Sequence, residues 1–184
     1  MTSRVALKRG SPLKPNVRLI LREIESILSK VDEKSVAQLA TALAHADKIV
    51  TIGAGRGGLA TKGFAMRLGH LGFNAHALGD MTVPSLRGSR SMALIASGSG
   101  ETPSIAILAE MAKKNGATVA LITANPQSRM GRIADIIVCV SAPTKNSKPS
   151  ERSKQPMTTL NEQCLHVFFD ALVLSLMHSL QESH

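Results

Sequence analysis

The sequence of 184 residues contains no tryptophan, no tyrosine and only four phenylalanines. Proteins that hold single-stranded nucleic acid stack its bases on aromatic side chains, and such side chains are scarce here. Zinc-finger spacings and basic helices are also missing from the sequence. Much of the net charge of +9 lies in residues 1–18 and in the loop 141–156, and termini and loops often carry solvated charge. We therefore expect no nucleic-acid partner, and the positive charge suits anionic metabolites.

The sequence is also poor in cysteine and has no long apolar run. Cys139 and Cys164 form no C-x-x-C pattern and lie in apolar surroundings, which indicates reduced core residues. No apolar run reaches the roughly 18 residues of a membrane-spanning helix. The basic residues near the N-terminus precede no apolar segment of the signal-peptide type. We expect a cytoplasmic protein with no membrane partner.

Short apolar segments alternate with amphipathic segments along most of the chain. Five apolar segments are predicted strands: Lys48–Ile52, Phe73–Leu78, Met92–Ala96, Ala117–Thr123 and Asp135–Val140. Helices are predicted between them and at the end of the chain, over Leu59–Leu71, Pro103–Lys114, Arg129–Ala134 and Thr158–Leu180. Two more helices, over residues 17–28 and from the N-cap Asp32 to Leu43, precede the first strand.

This alternation predicts an α/β fold, a five-stranded, parallel, doubly wound sheet with right-handed crossovers. The flavodoxin-like order 2-1-3-4-5 fits five strands, and its ligand crevice lies between strands one and three, at their carboxyl ends. Residues 1–15, with Pro12 and Pro15, are predicted to be a loose arm. Residues 16–184 are predicted to be a single domain with two N-terminal helices.

A turn of small and hydroxylated residues, Ser97-Gly98-Ser99-Gly100-Glu101-Thr102, joins the third predicted strand to the helix that follows. We call it the serine turn. Such a turn directs backbone N–H groups and the positive end of the helix dipole at an anion. Its three hydroxyls add donors, and its two glycines let the backbone approach a ligand. The serine turn is therefore a candidate phosphate site, and the alternative is a structural turn with Thr102 as N-cap.

A second glycine-rich turn, Gly53-Ala54-Gly55-Arg56-Gly57-Gly58, follows the first predicted strand. We call it the glycine turn, and in the order 2-1-3-4-5 it meets the serine turn at the crevice. The spacing of Gly53, Gly55 and Gly58 also matches the G-x-G-x-x-G fingerprint of dinucleotide sites, with Asp80 as a candidate ribose-binding acid. A nicotinamide-dependent enzyme is thus an alternative, but it leaves the hydroxyls of the serine turn unexplained.

The two turns, together with matches further along the chain, resemble the sugar isomerase (SIS) domain family and, more narrowly, the 6-phospho-3-hexuloisomerases of the ribulose monophosphate pathway. The matching residues are Gly53–Arg56, Phe64–Leu68, His70–Gly72, Ser97–Thr102, Pro156, Thr159, Glu162, Asp170–Leu172 and Met177. The resemblance runs from about residue 17 to 178. One departure is Gly57, where the narrower family usually has serine, so a contact to a substrate hydroxyl is missing or is supplied by the backbone.

The resemblance implies a cofactor-free isomerase that interconverts 3-hexulose 6-phosphate and fructose 6-phosphate through an enediol. It implies that Glu162 is the base that moves a proton between neighbouring carbons. It also implies that His70 is a second catalytic group, which in this family can reach a neighbouring subunit's site. The substrate- and phosphate-binding residues that it implies are Gly55, Arg56, Gly57, Ser97, Gly98, Ser99, Gly100, Glu101 and Thr102, with Glu101 supporting the serine turn rather than facing the anion.

Other functions fit parts of the sequence. Glu162, His166 and Asp170 share one helix face, but no further cluster completes a metal site, so we expect no metal. An isomerase of another phosphosugar, such as arabinose 5-phosphate or a heptose phosphate, and a non-catalytic regulator that binds a sugar phosphate are the rival functions. The resemblance also implies a homo-oligomer, a tetramer or a dimer, which would bury the apolar surface of residues 17–28 and of the closing helix.

Overall fold

The computed structural model describes residues 12–144, 147 and 153–181, and its strands form one parallel sheet. The strands are β1 (Lys48–Gly53), β2 (Ala75–Ala77), β3 (Ser91–Ala96), β4 (Thr118–Thr123) and β5 (Ile136–Cys139). Their order is β2-β1-β3-β4-β5, and every neighbouring pair is parallel. The predicted fold class and strand order are confirmed, and the chain reverses its direction across the sheet between β1 and β3.

Helices cover the two faces of the sheet unequally. They are α1 (Leu13–Leu28), α2 (Glu33–His45), α3 (Gly55–His70), α4 (Pro103–Lys114) and α5 (Thr159–Gln181). Alternate strand residues point to opposite faces, so Ile49 and Leu94 pack with α1, α2, α3 and α5, whereas Val50 and Ile95 pack with α4. None of these helices, over the described residues, has the length and apolarity to cross a membrane.

The contact between α3 and α5 holds together the two helices that reach the crevice. The ring of Phe64 on α3 stacks on that of Phe169 on α5, with centroids 4.5 Å apart, and both side chains are buried. Stacked aromatic pairs of this kind add to the stabilisation that burial of their area provides. The N-terminal ends of α3 and α5 are therefore held in a fixed relation to each other.

The N-terminal helix begins earlier than the sequence predicts. α1 starts at Leu13, inside the segment predicted as a loose arm, and Pro12 occupies its N-cap position with extended backbone angles. Pro15 falls in the first turn, where its missing N–H has no helical partner to lose. The prediction for residues 1–11 lies outside the described residues.

The short helix predicted over Arg129–Ala134 is wrong, because the chain forms consecutive turns there. The Oγ of Ser128 accepts the N–H of Gly131 at 3.1 Å, so a side chain replaces a helical carbonyl as acceptor. A Cβ on Gly131 would lie 1.9 Å from the carbonyl oxygen of Pro126. The backbone folds back on itself too closely for a regular helix at this point.

Candidate active site at the carboxyl edge of the sheet

A cavity of about 490 Å³ opens at the carboxyl ends of β1 and β3. The glycine turn and the serine turn form two of its walls, and the first turns of α5 form a third. Its volume lies in the range of small-molecule sites. Ligands of doubly wound sheets bind at this point of strand reversal, so the cavity is the candidate active site.

The serine turn presents the N-terminus of α4 to the cavity. Its own hydroxyls shape it, because the Oγ of Ser97 accepts the N–H of Gly100 and the Oγ of Ser99 accepts the N–H of Glu101, each at 3.2 Å. Thr102 holds the N-cap position, but in the structure as described its side chain makes no capping bond to α4. The first N–H groups of α4 therefore remain for a ligand, and the helix dipole favours a negatively charged one.

The two glycines of the serine turn have no room for a side chain. Gly100 has a φ of +66°, and a Cβ there would lie 1.9 Å from the Oγ of Ser128. A Cβ on Gly98 would lie 2.8 Å from the Oδ1 of Asn161. Both distances are too short for any Cβ contact, so neighbouring elements enclose the serine turn on two sides.

The serine turn is also supported from outside the cavity. The carboxylate of Glu101 accepts the backbone N–H of Arg129 at 2.7 Å. The Arg129 guanidinium in turn donates to both oxygens of Glu110 on α4, at 2.8 and 3.0 Å. These hydrogen bonds hold the pKa of the Glu110 carboxyl below its ordinary value. Glu101 thus joins the serine turn to the segment that follows β4.

The glycine turn leads from the end of β1 straight into the first turn of α3, with no loop between them. The helix begins at Gly55, which has a φ of +57°, whereas the sequence predicts its start at Leu59. A Cβ on Gly58 would lie 2.8 Å from the carbonyl oxygen of Gly53, so α3 approaches β1 as closely as backbone allows. Ala54, at the N-cap position, has no side chain that could cap the helix. A second uncapped helix N-terminus therefore faces the cavity.

Glu162 brings a carboxylate to the cavity from the first turn of α5. Its Oε2 lies 2.9 Å from the Nη1 of Arg56, and its Oε1 accepts the Oγ1 hydroxyl of Thr158 at 3.0 Å. The side chain of Glu162 is only 17% exposed, whereas that of Arg56 is 54% exposed. Arg56 also donates to the Oγ1 of Thr159 at 3.3 Å. The carboxylate is thus held in one orientation, with a cation at the mouth of the cavity.

The segment that leads into α5 is tied to α1. The carboxylate of Glu23 accepts hydrogen bonds from the Oγ of Ser153, the N–H of Lys154 and the Nε2 of Gln155, at 2.8 to 3.1 Å. Burial tends to raise the pKa of Glu23, but these hydrogen bonds outweigh it and the pKa is lowered. The chain is therefore anchored shortly before the helix that carries Glu162.

The structure brings most of the predicted site residues together. Those that line the cavity are Gly55, Arg56, Gly57, Ser97, Gly98, Ser99, Glu101, Thr102 and Glu162. Gly100 lies behind them, against Ser128. His70 is exposed at the far end of α3, about 22 Å along the helix axis from Gly55, and so does not reach the cavity of its own chain.

Three polar residues of the cavity were not predicted from the sequence. They are Thr144, Thr158 and Asn161. The spacing of Thr158, Asn161 and Glu162, with Leu165, is i, i+3, i+4, i+7, which marks one face of a helix. That spacing, read outward from Glu162, could have identified Thr158 and Asn161. Thr144 lies near the start of the basic loop 141–156, and nothing in the sequence distinguishes it.

The alternatives of a dinucleotide and a metal find little support. The carboxylate of Asp80 accepts the N–H of Ala77 at 3.2 Å and lies outside the lining of the cavity. In the part of the chain that the structure describes, no three His, Cys, Asp or Glu side chains group as metal ligands would. His166 and Asp170, which share a helix face with Glu162, are exposed.

Comparisons with known proteins agree with this geometry. A family model described as the SIS domain matches residues 42–167. The chain is 42% identical over 159 residues to a protein of Bacillus subtilis named 3-hexulose-6-phosphate isomerase, covering 86% of this chain and 85% of that protein. It is 38% identical over 167 residues to a Mycobacterium gastri protein of the same name, covering 91% and 83%.

A solved structure is similar over nearly the whole chain. It is a hypothetical protein of Methanococcus jannaschii whose crystal structure led to an inferred function as a 3-hexulose-6-phosphate isomerase. The TM-score is 0.76 at 26% sequence identity, and the match covers 91% of this chain and 92% of that chain. The sequence relatives and this structural neighbour thus carry the same activity in their names or descriptions.

Proposed function

The chain belongs to the SIS-domain family, and on this premise we propose that it is an isomerase that interconverts 3-hexulose 6-phosphate and fructose 6-phosphate. The observation that carries the proposal is a fixed carboxylate, Glu162, beside a cavity onto which two uncapped helix N-termini open. The helix ends suit a phosphate ester, and the carboxylate suits proton transfer on the attached carbon chain. The relatives at 42% and 38% identity support the choice of sugar.

The serine turn binds the phosphate in this proposal. The free N–H groups at the start of α4 donate to the ester oxygens, and the hydroxyl of Thr102 adds a donor. The positive ends of the α3 and α4 dipoles both oppose the charge of the ester. Repulsion between Glu101 and the ester is reduced, because the Glu101 carboxylate accepts the backbone N–H of Arg129 and interacts with the positive charge of the Arg129 guanidinium.

Glu162 transfers the proton between the two reacting carbons. Its carboxylate removes the proton from C2 of the 3-hexulose, the C–H electron pair forms the C2–C3 double bond, and the C3 carbonyl oxygen gains the negative charge. The proton of the C2 hydroxyl then moves to the negatively charged O3, which becomes the C3 hydroxyl. As the C2 carbonyl forms, the electron pair of the C2–C3 double bond takes the proton that Glu162 returns to C3. Arg56, beside the carboxylate at the mouth, is placed to donate to the enediolate oxygens.

His70 acts in a neighbouring subunit in this proposal, since it lies far from its own cavity. An oligomer would bury the exposed apolar side chains of α1, α3 and α5, among them Val17, Leu21, Met66 and Leu174. We propose a homotetramer, with a dimer as the alternative, located in the cytoplasm, which suits the free thiols of Cys139 and Cys164. Light scattering that shows a monomer at micromolar concentration would contradict the oligomer and the role of His70.

Replacing Glu162 by glutamine tests the proposal. The change keeps the size of the side chain and removes the base, so we expect kcat to fall by about 10²- to 10⁴-fold in a coupled assay for fructose 6-phosphate. The control is Asp170→Asn, which removes an exposed carboxylate from the same helix outside the cavity and should keep wild-type kcat.

Three outcomes would overturn parts of the proposal. Wild-type turnover in Glu162→Gln would remove Glu162 from the role of base. Turnover of arabinose 5-phosphate or a heptose phosphate without turnover of a hexulose phosphate would change the substrate. A phosphosugar that raises the melting temperature while no candidate is turned over would favour a regulator.

A further inference from the structure

Asn161 is a buried polar residue at the cavity, and its side chain packs against Gly98 without a hydrogen bond to the fold. It is 6% exposed, it lies one residue before Glu162, and it lines the cavity. Over the described residues, its Oδ1 and Nδ2 make no hydrogen bond with the protein, and both atoms keep some exposure toward the cavity. Burying an amide without partners is unfavourable, and native structures satisfy such groups with protein, water or ligand. The Asn161 amide therefore has donors and an acceptor to offer to a molecule in the cavity.

The position of the amide is set by the serine turn. A Cβ built on Gly98 would lie 2.8 Å from the Oδ1 and 3.0 Å from the Nδ2 of Asn161, so the amide lies flat against the backbone of Gly98. The carbonyl of Gly98 points the other way, toward the N–H of Ala124 and the Oγ1 of Thr123. The Asn161 amide is thus placed beside the proposed phosphate site without bonding to it.

Asn161 also lies next to the proposed base. It shares the cavity-facing side of α5 with Glu162, and it precedes Glu162 by one residue. In the proposed substrate, C4 and C5 separate the phosphate-bearing C6 from the reacting C2 and C3, and both carry oxygens. Because the Asn161 amide contacts the serine turn and lies next to the base, it faces C4 and C5 of the bound sugar.

We propose that Asn161 is a specificity-determining residue, whose amide hydrogen-bonds to the C4 and C5 oxygens of the phosphosugar. This inference rests on the proposed function, since it takes the orientation of the sugar from it. A hydroxyl donates and accepts, and the amide can match both roles. A site built to pair with hydroxyls discriminates strongly against analogues that lack them, because its own buried polar groups are then left unpaired.

The experiment compares Asn161→Leu with Gln163→Leu. Leucine has the same branched skeleton of side-chain heavy atoms as asparagine and cannot pair with a hydroxyl. Gln163 is the matched control, because it is a neighbouring amide on the same helix whose Oε1 is buried without a hydrogen bond in the described structure, but it does not line the cavity. Each variant is assayed for kcat/KM with fructose 6-phosphate, for the Kd of inorganic phosphate and for the melting temperature without ligand.

We expect kcat/KM of Asn161→Leu to fall about 10- to 100-fold, as the loss of one or two hydrogen bonds to substrate predicts. The Kd of inorganic phosphate should stay within about twofold, because phosphate needs only the serine turn. The melting temperature should not fall, since no protein partner loses a bond. Gln163→Leu should match the wild type in kcat/KM and in phosphate binding. Asn161→Ala, which is smaller, gives the same comparison if leucine prevents folding.

Three results would overturn the inference. The first is an unchanged kcat/KM in Asn161→Leu or Asn161→Ala. The second is an equal loss of inorganic phosphate binding and of fructose 6-phosphate turnover, which would place the amide at the phosphate. The third is a melting temperature so low that the variant is largely unfolded in the assay. The lost activity would then reflect lost structure, and the role of Asn161 would be structural. A wild-type protein that turns over no hexulose phosphate instead overturns the proposed function, and titration with fructose 6-phosphate and inorganic phosphate still tests Asn161.

Discussion

The glycine turn and the serine turn reach the same cavity, but different contacts hold them in place. The glycine turn is fixed by the close backbone approach of Gly53 and Gly58, and Thr61 on α3 donates its hydroxyl to the Gly58 carbonyl at 2.9 Å. The serine turn is fixed by hydrogen bonds of its own hydroxyls and by the outer contact from Glu101 to Arg129. In the glycine turn, a side chain has space at Gly55 and Gly57 but not at Gly53 or Gly58, whereas neither glycine of the serine turn has space for one.

The comparison separates two tasks within one site. A turn with no free space holds its N–H groups in one arrangement, which suits a ligand group that never varies, such as a phosphate. A turn with free space can accept different side chains toward the cavity, which suits the part of a substrate that differs among relatives. We therefore expect substitutions in the serine turn to cost stability and substitutions in the glycine turn to change substrate preference.

The largest effect is expected for Gly100→Ala. Its Cβ would overlap the Oγ of Ser128, and its φ of +66° is itself unfavourable for alanine. We expect a loss of about 2–5 kcal/mol in the free energy of unfolding, together with loss of phosphate binding. The matched control is Gly55→Ala, which has a φ of +57° but no atom within 4 Å of the new Cβ.

Gly55→Ala should cost only the backbone strain, about 1–2 kcal/mol. Urea unfolding of the two variants measures the difference directly. Equal losses of stability would show that the conformation of the glycine, and not the enclosure of the serine turn, decides the cost.

A smaller effect, on affinity and not on stability, is expected for Gly57→Ser in the glycine turn. The new Cβ would meet only the Cδ1 of Leu165, at 3.6 Å, which is an ordinary contact. Serine is a better helix former than glycine, so the free energy of unfolding should change by no more than about 0.5 kcal/mol. Because residue 57 lines the cavity, we expect the added hydroxyl to lower KM for fructose 6-phosphate by up to about tenfold, the value of one neutral hydrogen bond.

Gly63→Ser is the control for this change. Gly63 lies on the same helix, is exposed and has no atom within 4 Å of a new Cβ. It should reproduce any gain in stability and leave KM unaltered. A serine at position 57 that leaves KM unchanged as well would indicate that the free space of the glycine turn does not face the sugar.

The smallest effect is expected for the contact between Arg129 and Glu110, which supports the serine turn from outside the cavity. It should appear as a change in the pH dependence of stability. The hydrogen bonds from Arg129 lower the pKa of Glu110 in the folded chain below its ordinary 4.5. A carboxyl with a lowered folded pKa stabilises the fold above its unfolded pKa, and this contribution is lost as the pH falls through the folded pKa. Urea midpoints of the wild type and Glu110→Gln should therefore differ slightly at pH 7, and the difference should shrink as the pH falls below the ordinary pKa of 4.5 and through the lowered pKa of Glu110.

High salt should shrink the difference at pH 7, because the pair is exposed. A gap between the two midpoints that does not shrink on acidification would mean that Glu110 supports the turn by packing and not by charge.

The sequence predicted the sheet well, because its five strands are short apolar runs bounded by polar turns or by helices of clear periodicity. β1, β3, β4 and α4 agree with the predicted segments to within one or two residues. From the strand order alone, the two turns were expected at one crevice, and the cavity is lined by both. The presence of Glu162 at the same cavity was expected from the family resemblance and not from spacing.

What the sequence did not predict depends on contacts between distant segments. The rotation of α5 about its axis decides that Asn161 faces the cavity, and that rotation is set by packing such as the stack of Phe64 on Phe169. The start of α3 at Gly55 was missed because glycine is a poor helix former. Glycine is nevertheless favoured in this turn, because α3 approaches β1 at Gly58 too closely for a larger residue. The turns over residues 129–134 were missed because Ser128 replaces a backbone acceptor.

The convergence of two helix N-termini on one cavity has a consequence for the lifetime of the protein. Like ends of two dipoles repel each other across an empty cavity, and a dianion between them turns that repulsion into attraction. A ligand that binds only the folded chain raises its stability in proportion to the logarithm of its concentration above Kd. We therefore expect a cell that is short of the phosphosugar to degrade this chain faster, so that the supply of substrate sets the abundance of the enzyme.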